Sequence, residues 1–259
     1  MSAREWGAVI EQRLQREGAL ILAALSAHDD PHAAIHAVRK AVRRMRAMLA
    51  LLDTDGMGLA RVDRRLQRLG DSLSAVRDAH VVVEAARQLQ QQHPAVQWNP
   101  VIEALETRRT RILQHTMRGD PGYRRRRAGI EQVCLALQQA PWHRVRRHDL
   151  RAGLARSERR VDKAAARAAR DADPEAIHRW RRRVRRLRMQ REALHALGAL
   201  SPPPAGKGDG GAAAKALHAL SDRLGWQQDL RLLRNLVRAM PCHPGKAEPL
   251  AQVQAALSL

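Results

Sequence analysis

The chain has 259 residues, 44% of them apolar, enough to bury a core of ordinary size. Forty-seven Lys and Arg against 26 Asp and Glu leave a formal charge of +21, a self-repulsion that disfavours a compact state unless an acidic partner uses it. Phe is absent, Tyr occurs once, and Leu and Ala carry the apolar load, which excludes a large sheet and favours helices.

In chain order, helical periodicity first covers 4–27. Its apolar stretch Gly18 to Ala27 imitates a signal-peptide core, but Glu5, Glu11 and Glu17 precede it and the run is short, so it reads as the buried face of a first helix. Further helices are expected at 32–52, 58–76, 79–92, 101–118 and 128–139. A second set follows at 150–171, 174–198, 212–226, 227–240 and 247–257, with breaks at Pro94, Pro100, Pro121, Pro141, Pro202 to Pro204, Pro241 and Pro244. No run reaches the ~18 apolar residues of a membrane span. Cys134 and Cys242 form no framework and no CxxC pair, so a cytoplasmic protein without membrane attachment is expected.

The chain repeats itself. Ile35, His36, Arg39, Val42, Arg43, Arg44 and Arg46 recur 142 positions later as Ile177, His178, Arg181, Val184, Arg185, Arg186 and Arg188. Each copy follows an acidic segment with proline, DDPHAA or DADPEA, and Asp before Pro marks a helix start. A second block, Leu66, Leu69, Asp71, Leu73 and Asp78, returns 151 positions later as Leu217, Leu220, Asp222, Leu224 and Asp229. The nine extra residues of the second half fall in SPPPAGKGDGG (201–211), a segment read as loop. The expected architecture is all-α: one domain over 1–259, built from two pseudo-repeated bundles of about four helices each. The first half is about 1–120 and the second about 150–259. Between them lies a connecting region, about 119–149, with Gly119, Pro121, Gly122, Pro141 and the run Arg124 to Arg127.

At ~100° per residue, His36, Arg39, Lys40, Arg43 and Arg44 share one side of their helix and Val38, Val42, Met45, Leu49 and Leu52 the other. His178, Arg181, Arg182 and Arg185 likewise oppose Trp180, Val184 and Leu187. Arg61, Arg64, Arg65 and Arg68 form another stripe; Arg156, Arg159, Arg160, Lys163, Arg167 and Arg170 a further one. Arg108, Arg111 and Arg118 with His115 make a looser fourth. Like charges at these spacings repel by a few tenths of a kcal/mol per pair. A solvated helix would interleave acids, yet none occurs between 35 and 52. The bland alternative for any single stripe is a solvated face, and a GC-rich genome would also favour arginine; several acid-poor stripes, one pair duplicated, point to a polyanion-binding surface. Guanidinium forks suit phosphate oxygens.

A His opening a helix, then Arg-x-x-x-Arg-Arg-hydrophobic-Arg, then a Leu and Asp element downstream, resembles the CHAD domain, the conserved histidine α-helical domain. The matching residues are His36, Arg39, Lys40, Arg43, Arg44, Met45 and Arg46 with Leu73, Arg77 and Asp78, and His178, Arg181, Arg182, Arg185, Arg186, Leu187 and Arg188 with Leu224 and Asp229. Gln228 stands where the family pattern has Arg, and Arg183 and Arg191 intrude toward the apolar side. The resemblance implies a helical domain with a basic central groove or pore that binds inorganic polyphosphate, at polyphosphate granules; with no glutamate-rich barrel sequence beside it, the domain is expected to stand alone. On it, the expected binding residues are His36, Arg39, Lys40, Arg43, Arg44, Arg46, Arg61, Arg64, Arg65, Arg68, Arg160, Lys163, Arg167, His178, Arg181, Arg182, Arg185, Arg186 and Arg188. The two histidines would sit at helix N-termini, where the dipole favours anions; Asp78 and Asp229 would orient arginines.

Catalysis is not expected. One His per helix is poor metal spacing, and no Walker, HExxH or nucleophile-elbow pattern occurs. No cofactor is implied. The rival reading is nonspecific nucleic-acid binding: the charge suits it, but aromatic residues at 2% leave few stacking platforms. Weak binding of that kind is expected in any case, and a scaffold for acidic proteins is a third class.

Overall fold

The computed structural model describes residues 3–27, 29–52, 54–171, 173–200, 209–240 and 245–258. They fold as helices α1 (Ala3–Ser26), α2 (Pro31–Leu49), α3 (Ala60–Ser72), α4 (Ser74–Gln92), α5 (Asn99–Gly119), α6 (Arg124–Gln138), α7 (Arg147–Asp171), α8 (Pro174–Ala196), α9 (Asp209–Ala239) and α10 (Ala247–Ser258). No strand occurs among the described residues. Both repeated helices start as their sequences dictate. Asp30 caps α2, its carboxylate accepting from the amides of His32 and Ala33, and Pro31 opens the first turn. Asp173 caps α8 through the Ala176 amide, ahead of Pro174. Each cap satisfies otherwise orphaned amides, and each proline lacks the donor that would be orphaned there.

One element differs from the sequence reading. The helices expected at 212–226 and 227–240 are one continuous helix, α9, which begins at Asp209, inside the segment read as loop; Pro202 to Pro204 lie outside the described residues. Gly225 interrupts nothing, because the helix is braced by Leu224, Leu230, Leu233 and Val237, all buried. In the first half the corresponding stretch does break, at Leu73 (φ −108°, ψ 4°), between α3 and α4. The connecting region carries the helix expected at 128–139, begun four residues earlier. Arg124 to Arg127 form the first turn of α6, whose Ile130, Val133 and Leu137 join the main core.

Two apolar clusters hold the molecule together. The larger is built from α1, α2, α3 and α6 with Leu150, Leu154 and Val161 of α7, Val184, Leu187 and Leu194 of α8, and Leu224 of α9. The smaller packs Val82, Val83, Leu89, Val101 and Leu105 of α4 and α5 against Leu230, Leu233, Val237 and Val253 of α9 and α10. Each therefore draws on both halves. The packing pairs run in parallel: α1 on α2 and α7 on α8, α4 on α5 and α9 on α10, with α2 against α8 and α4 against α9 across the middle. Gln190 of α8 is fully buried and its side-chain amide donates to the Ala47 carbonyl of α2 at 3.0 Å, tying the two motif helices directly.

The approach of α7 to the end of α2 requires a residue without a side chain. A β-carbon on Gly153 would collide with the Leu51 backbone carbonyl, whereas one on Gly129 of α6 meets nothing within 4 Å. Gly153→Ala is expected to lose about 1–3 kcal/mol by overpacking. Gly129→Ala should be neutral or stabilising by up to ~1 kcal/mol through helix propensity. Thermal melts of the two variants check the contrast.

Candidate functional site

Where α2 crosses α8, and α4 lies against α9, the helices leave a cavity of about 490 Å³. Its lining contains eight arginines, Arg39, Arg43 and Arg46 of α2, Arg77 of α4, and Arg181, Arg182, Arg185 and Arg186 of α8, with His178. Three carboxylates, Asp71, Asp78 and Asp229, share the wall. The apolar stripes explain the placement. Val38, Val42 and Met45 are buried behind α2, and Val184 and Leu187 behind α8; turning those faces into the core leaves the basic faces opposed across the cavity.

Few of these guanidinium groups are neutralised at contact distance. Arg39 is anchored by neutral acceptors, donating through Nη1 to the Gly70 carbonyl and to Ser74 Oγ (2.8 Å) at the α3–α4 break. Arg43 Nε donates to the Arg39 carbonyl at 3.1 Å. Among the described residues, no carboxylate lies within 4.0 Å of Arg39, Arg43, Arg77, Arg181, Arg182, Arg185 or Arg186. Asp78 and Asp229 thus bias the field through space and do not clamp an arginine, contrary to the expectation that they orient the guanidinium groups. Burial holds both carboxyls above the ordinary value; Arg39, Arg77 and Arg181 oppose that rise at Asp78, and Arg181, Arg77 and Arg185 at Asp229.

The arginines feel the crowding. Burial, then repulsion from Arg185, Arg39, Arg77 and Arg181, lowers Arg43 to about 9. Burial, then Arg185, lowers Arg181 to about 10 although Asp229 and Asp78 oppose it. Arg39, Arg77, Arg185 and Arg186 are lowered as well, in each case chiefly by burial. All remain cations at neutral pH, so the cavity holds positive charge under electrostatic stress. His178 is held below 6.5 by burial, then by Arg181, and its Nδ1 lies 3.4 Å from Gln228 Oε1.

Other residues of the expected binding set go elsewhere. His36 and Lys40 are exposed on α2 outside the cavity lining. Neither histidine is at a helix N-terminus: α2 begins at Pro31 and α8 at Pro174, and the anionic seats there are filled by Asp30 and Asp173. Arg44 turns to α1, where Nε and Nη2 pair with the buried Glu17 at 2.8 and 2.5 Å. Arg46 lines the cavity but makes a two-pronged contact with Asp63 of α3, at 2.8 and 3.0 Å. The α2 face, acid-free in sequence, is thus partly compensated by carboxylates from neighbouring helices.

Arg188 meets His218 at 2.7 Å, Glu192 at 3.6 Å and Asp222 at 3.9 Å. Arg61 and Arg64 are exposed on α3, while Arg65 and Arg68 border a separate hollow of about 710 Å³ with α5 and α6. Lys163 and Arg167 are exposed on α7, Arg167 beside Asp171 at 3.1 Å, and Arg160 lines a smaller hollow near Arg186. Arg183 and Arg191, which disturb the amphipathic pattern of α8, reach α7 instead: Arg183 donates to the Arg160 carbonyl (2.9 Å) and Arg191 to Glu158 (2.7 Å). Sequence reasoning left Arg77, Asp71 and Gln228 out of the binding set; for Arg77 the signal was its place beside Asp78 in the downstream element.

The family model for the CHAD domain matches residues 12–238. The chain belongs to the CHAD domain family. Two solved structures are similar to this CHAD domain. One is the crystal structure of the CHAD domain from the plant Ricinus communis, at 21% identity and a TM-score of 0.64, covering 98% of this chain and 83% of that one. The other is PptA from Streptomyces chartreusis, at 19% identity and 0.68, covering 97% and 93%. At these identities they bear on the fold. No curated protein matches this CHAD domain. No helix among its described residues is long and apolar enough to cross a membrane. Nor do three or more His, Cys, Asp or Glu cluster there to hold a metal.

A cavity with unpaired, mutually repelling cations loses folding stability whenever it is empty. Arg43→Met removes one such charge, keeps the stem, and abandons no carboxylate partner. The variant is expected to be more stable than the parent in the absence of polyanions by about 1 kcal/mol, or ~2–4 °C in Tm. Melting at low salt checks it.

Proposed function

We propose that this CHAD domain binds inorganic polyphosphate, as a binding protein without catalysis, and acts at polyphosphate granules. The observation that carries the reading is the cavity itself: eight arginines from both repeats face one another, and seven of them, all but Arg46, have no carboxylate within 4.0 Å among the described residues. Polyphosphate has about one negative charge per phosphate along its whole length and no base to accommodate. Such a chain meets arginine forks at every step and relieves repulsion among them. The family to which the chain belongs points the same way, by the resemblance of both motif blocks.

A nucleic-acid ligand fits less well. The cavity, about 490 Å³, offers no Phe, Tyr or Trp in its lining, so bases would find neither stacking surface nor room beside the backbone.

Competition provides the test. Labelled long-chain polyphosphate is challenged with duplex DNA, RNA and heparin at physiological salt, and polyphosphate is expected to win. Arg43→Glu with Arg185→Glu should abolish binding while helicity by circular dichroism survives; normal binding by that double variant would refute the assignment. Affinity should fall steeply with salt, as counterion release predicts for polyanions. The pH dependence has a defined sign. His178 titrates below 6.5 in the free protein, and a bound polyanion raises that value. Binding therefore takes up a proton, and affinity increases as pH falls between the bound and free values. His178→Gln should flatten the increase, read from affinities at pH 7.5 and 5.5.

A further inference from the structure

The large cavity is not the end of the basic surface. Beyond Arg46 and Arg186, which it shares with the main cavity, lies a second chamber of about 240 Å³. Its other walls are Ala50, Leu52, Thr54 and Asp63 on one side and Arg156 and Arg160 of α7 on the other. Among the described residues the one carboxylate in that lining, Asp63, already holds Arg46. Arg186 stands at the junction: burial lowers it first, then repulsion from Arg46, which Asp63 opposes from beyond contact distance, and then repulsion from Arg182 on the main-cavity side and Arg160 on the α7 side. Arg182, Arg186 and Arg160 therefore form a continuous file of positive charge passing from one chamber into the next. Arg160 and Arg156 are exposed there, and among the described residues Arg156 has only a long contact, 3.5 Å, to the Leu51 carbonyl.

The two halves differ at this point in a way the repeat alone does not require. Arg44 and Arg186 are repeat partners. Arg44 meets Glu17 of α1 and is neutralised, whereas Arg186 faces Arg160 of α7, the helix that packs on α8 as α1 packs on α2. An ion pair in one half is replaced by two like charges in the other, and it is there that the cavity opens into the second chamber.

Resting on the polyphosphate reading above, we infer that the two chambers act in series and select chains by length. A short phosphate chain occupies the main cavity alone. A long one passes Arg186 and engages Arg156 and Arg160 as well, so that α7 is a length-reading element and Arg156 and Arg160 are specificity-determining residues.

The test compares tripolyphosphate with long-chain polyphosphate on the intact chain, for the parent and for Arg156→Gln with Arg160→Gln. The parent is expected to bind the long chain at least tenfold more tightly per molecule. The double variant should lose about tenfold on the long chain, change less than twofold on tripolyphosphate, and show a salt slope smaller by ~1–2 for the long chain only. Unchanged tripolyphosphate binding also reports that the variant is folded. Equal losses on both ligands, or no loss on either, would overturn the serial arrangement while leaving polyphosphate binding intact. If the parent binds neither ligand, the underlying reading fails instead.

Discussion

Everything distinctive about this molecule depends on arginines that repel one another being held at close quarters by an apolar framework behind them. The stripes of Val38, Val42 and Met45 on α2 and Val184 and Leu187 on α8 are fully buried or nearly so, and their burial, at about 25 cal/mol per Å², is what fixes the orientation of both helices. Because the basic residues occupy the remaining arc of the same helices, the framework has no freedom to turn them outward without exposing its own core. The buried amide of Gln190 on the Ala47 carbonyl adds a directional constraint at the crossing, since losing it would leave a buried donor unsatisfied.

The helices that surround the crossing decide which charges stay unbalanced. Glu17 and Asp63 reach Arg44 and Arg46 with paired hydrogen bonds, so the first repeat is partly neutralised at its outer edge. The second repeat is treated differently, with Arg186 left beside Arg160. Inside, Asp71, Asp78 and Asp229 are near but not in contact with the arginines they temper. A carboxylate at this range lowers the repulsion that opposes folding, while the guanidinium donors stay available to a ligand. A direct ion pair would have satisfied them.

The helical class, the two motif helices with their Asp-Pro starts, and the pairing of basic faces with apolar ones were legible from periodicity and repetition, because those features depend on a single helix and its neighbours in sequence. So was most of the arginine lining. What could not be read were the consequences of helices meeting. Glu17 and Arg44 are 27 residues apart, and nothing local shows that α1 will cover that part of α2. Arg183 and Arg191 looked like flaws in an amphipathic helix until α7 supplied Arg160's carbonyl and Glu158. How the two halves pack on each other was hidden for the same reason: α4 and α5 find their apolar partners on α9 and α10, which are remote in sequence and close in space.

The break between α3 and α4 shows how local geometry serves the site. In a continuous helix the Gly70 carbonyl would be taken by the amide four residues on. At Leu73 the chain leaves the helical path, the Leu73 amide bonds Gly70 weakly at 3.3 Å, and the same carbonyl and Ser74 Oγ accept from Arg39. A neutral anchor of this kind positions a guanidinium without discharging it. In the second half α9 runs unbroken through Leu224; Nε of both Arg39 and Arg181 is left without a partner among the described residues, but only Arg39 has the Nη1 anchor. Arg39 is therefore held in place before any ligand arrives, and Arg181 has donors to spare. A polyanion lying between them would meet one fixed cation and one free to adjust, which suits a ligand whose charges repeat along its length and whose register along the cavity is not set by any single group.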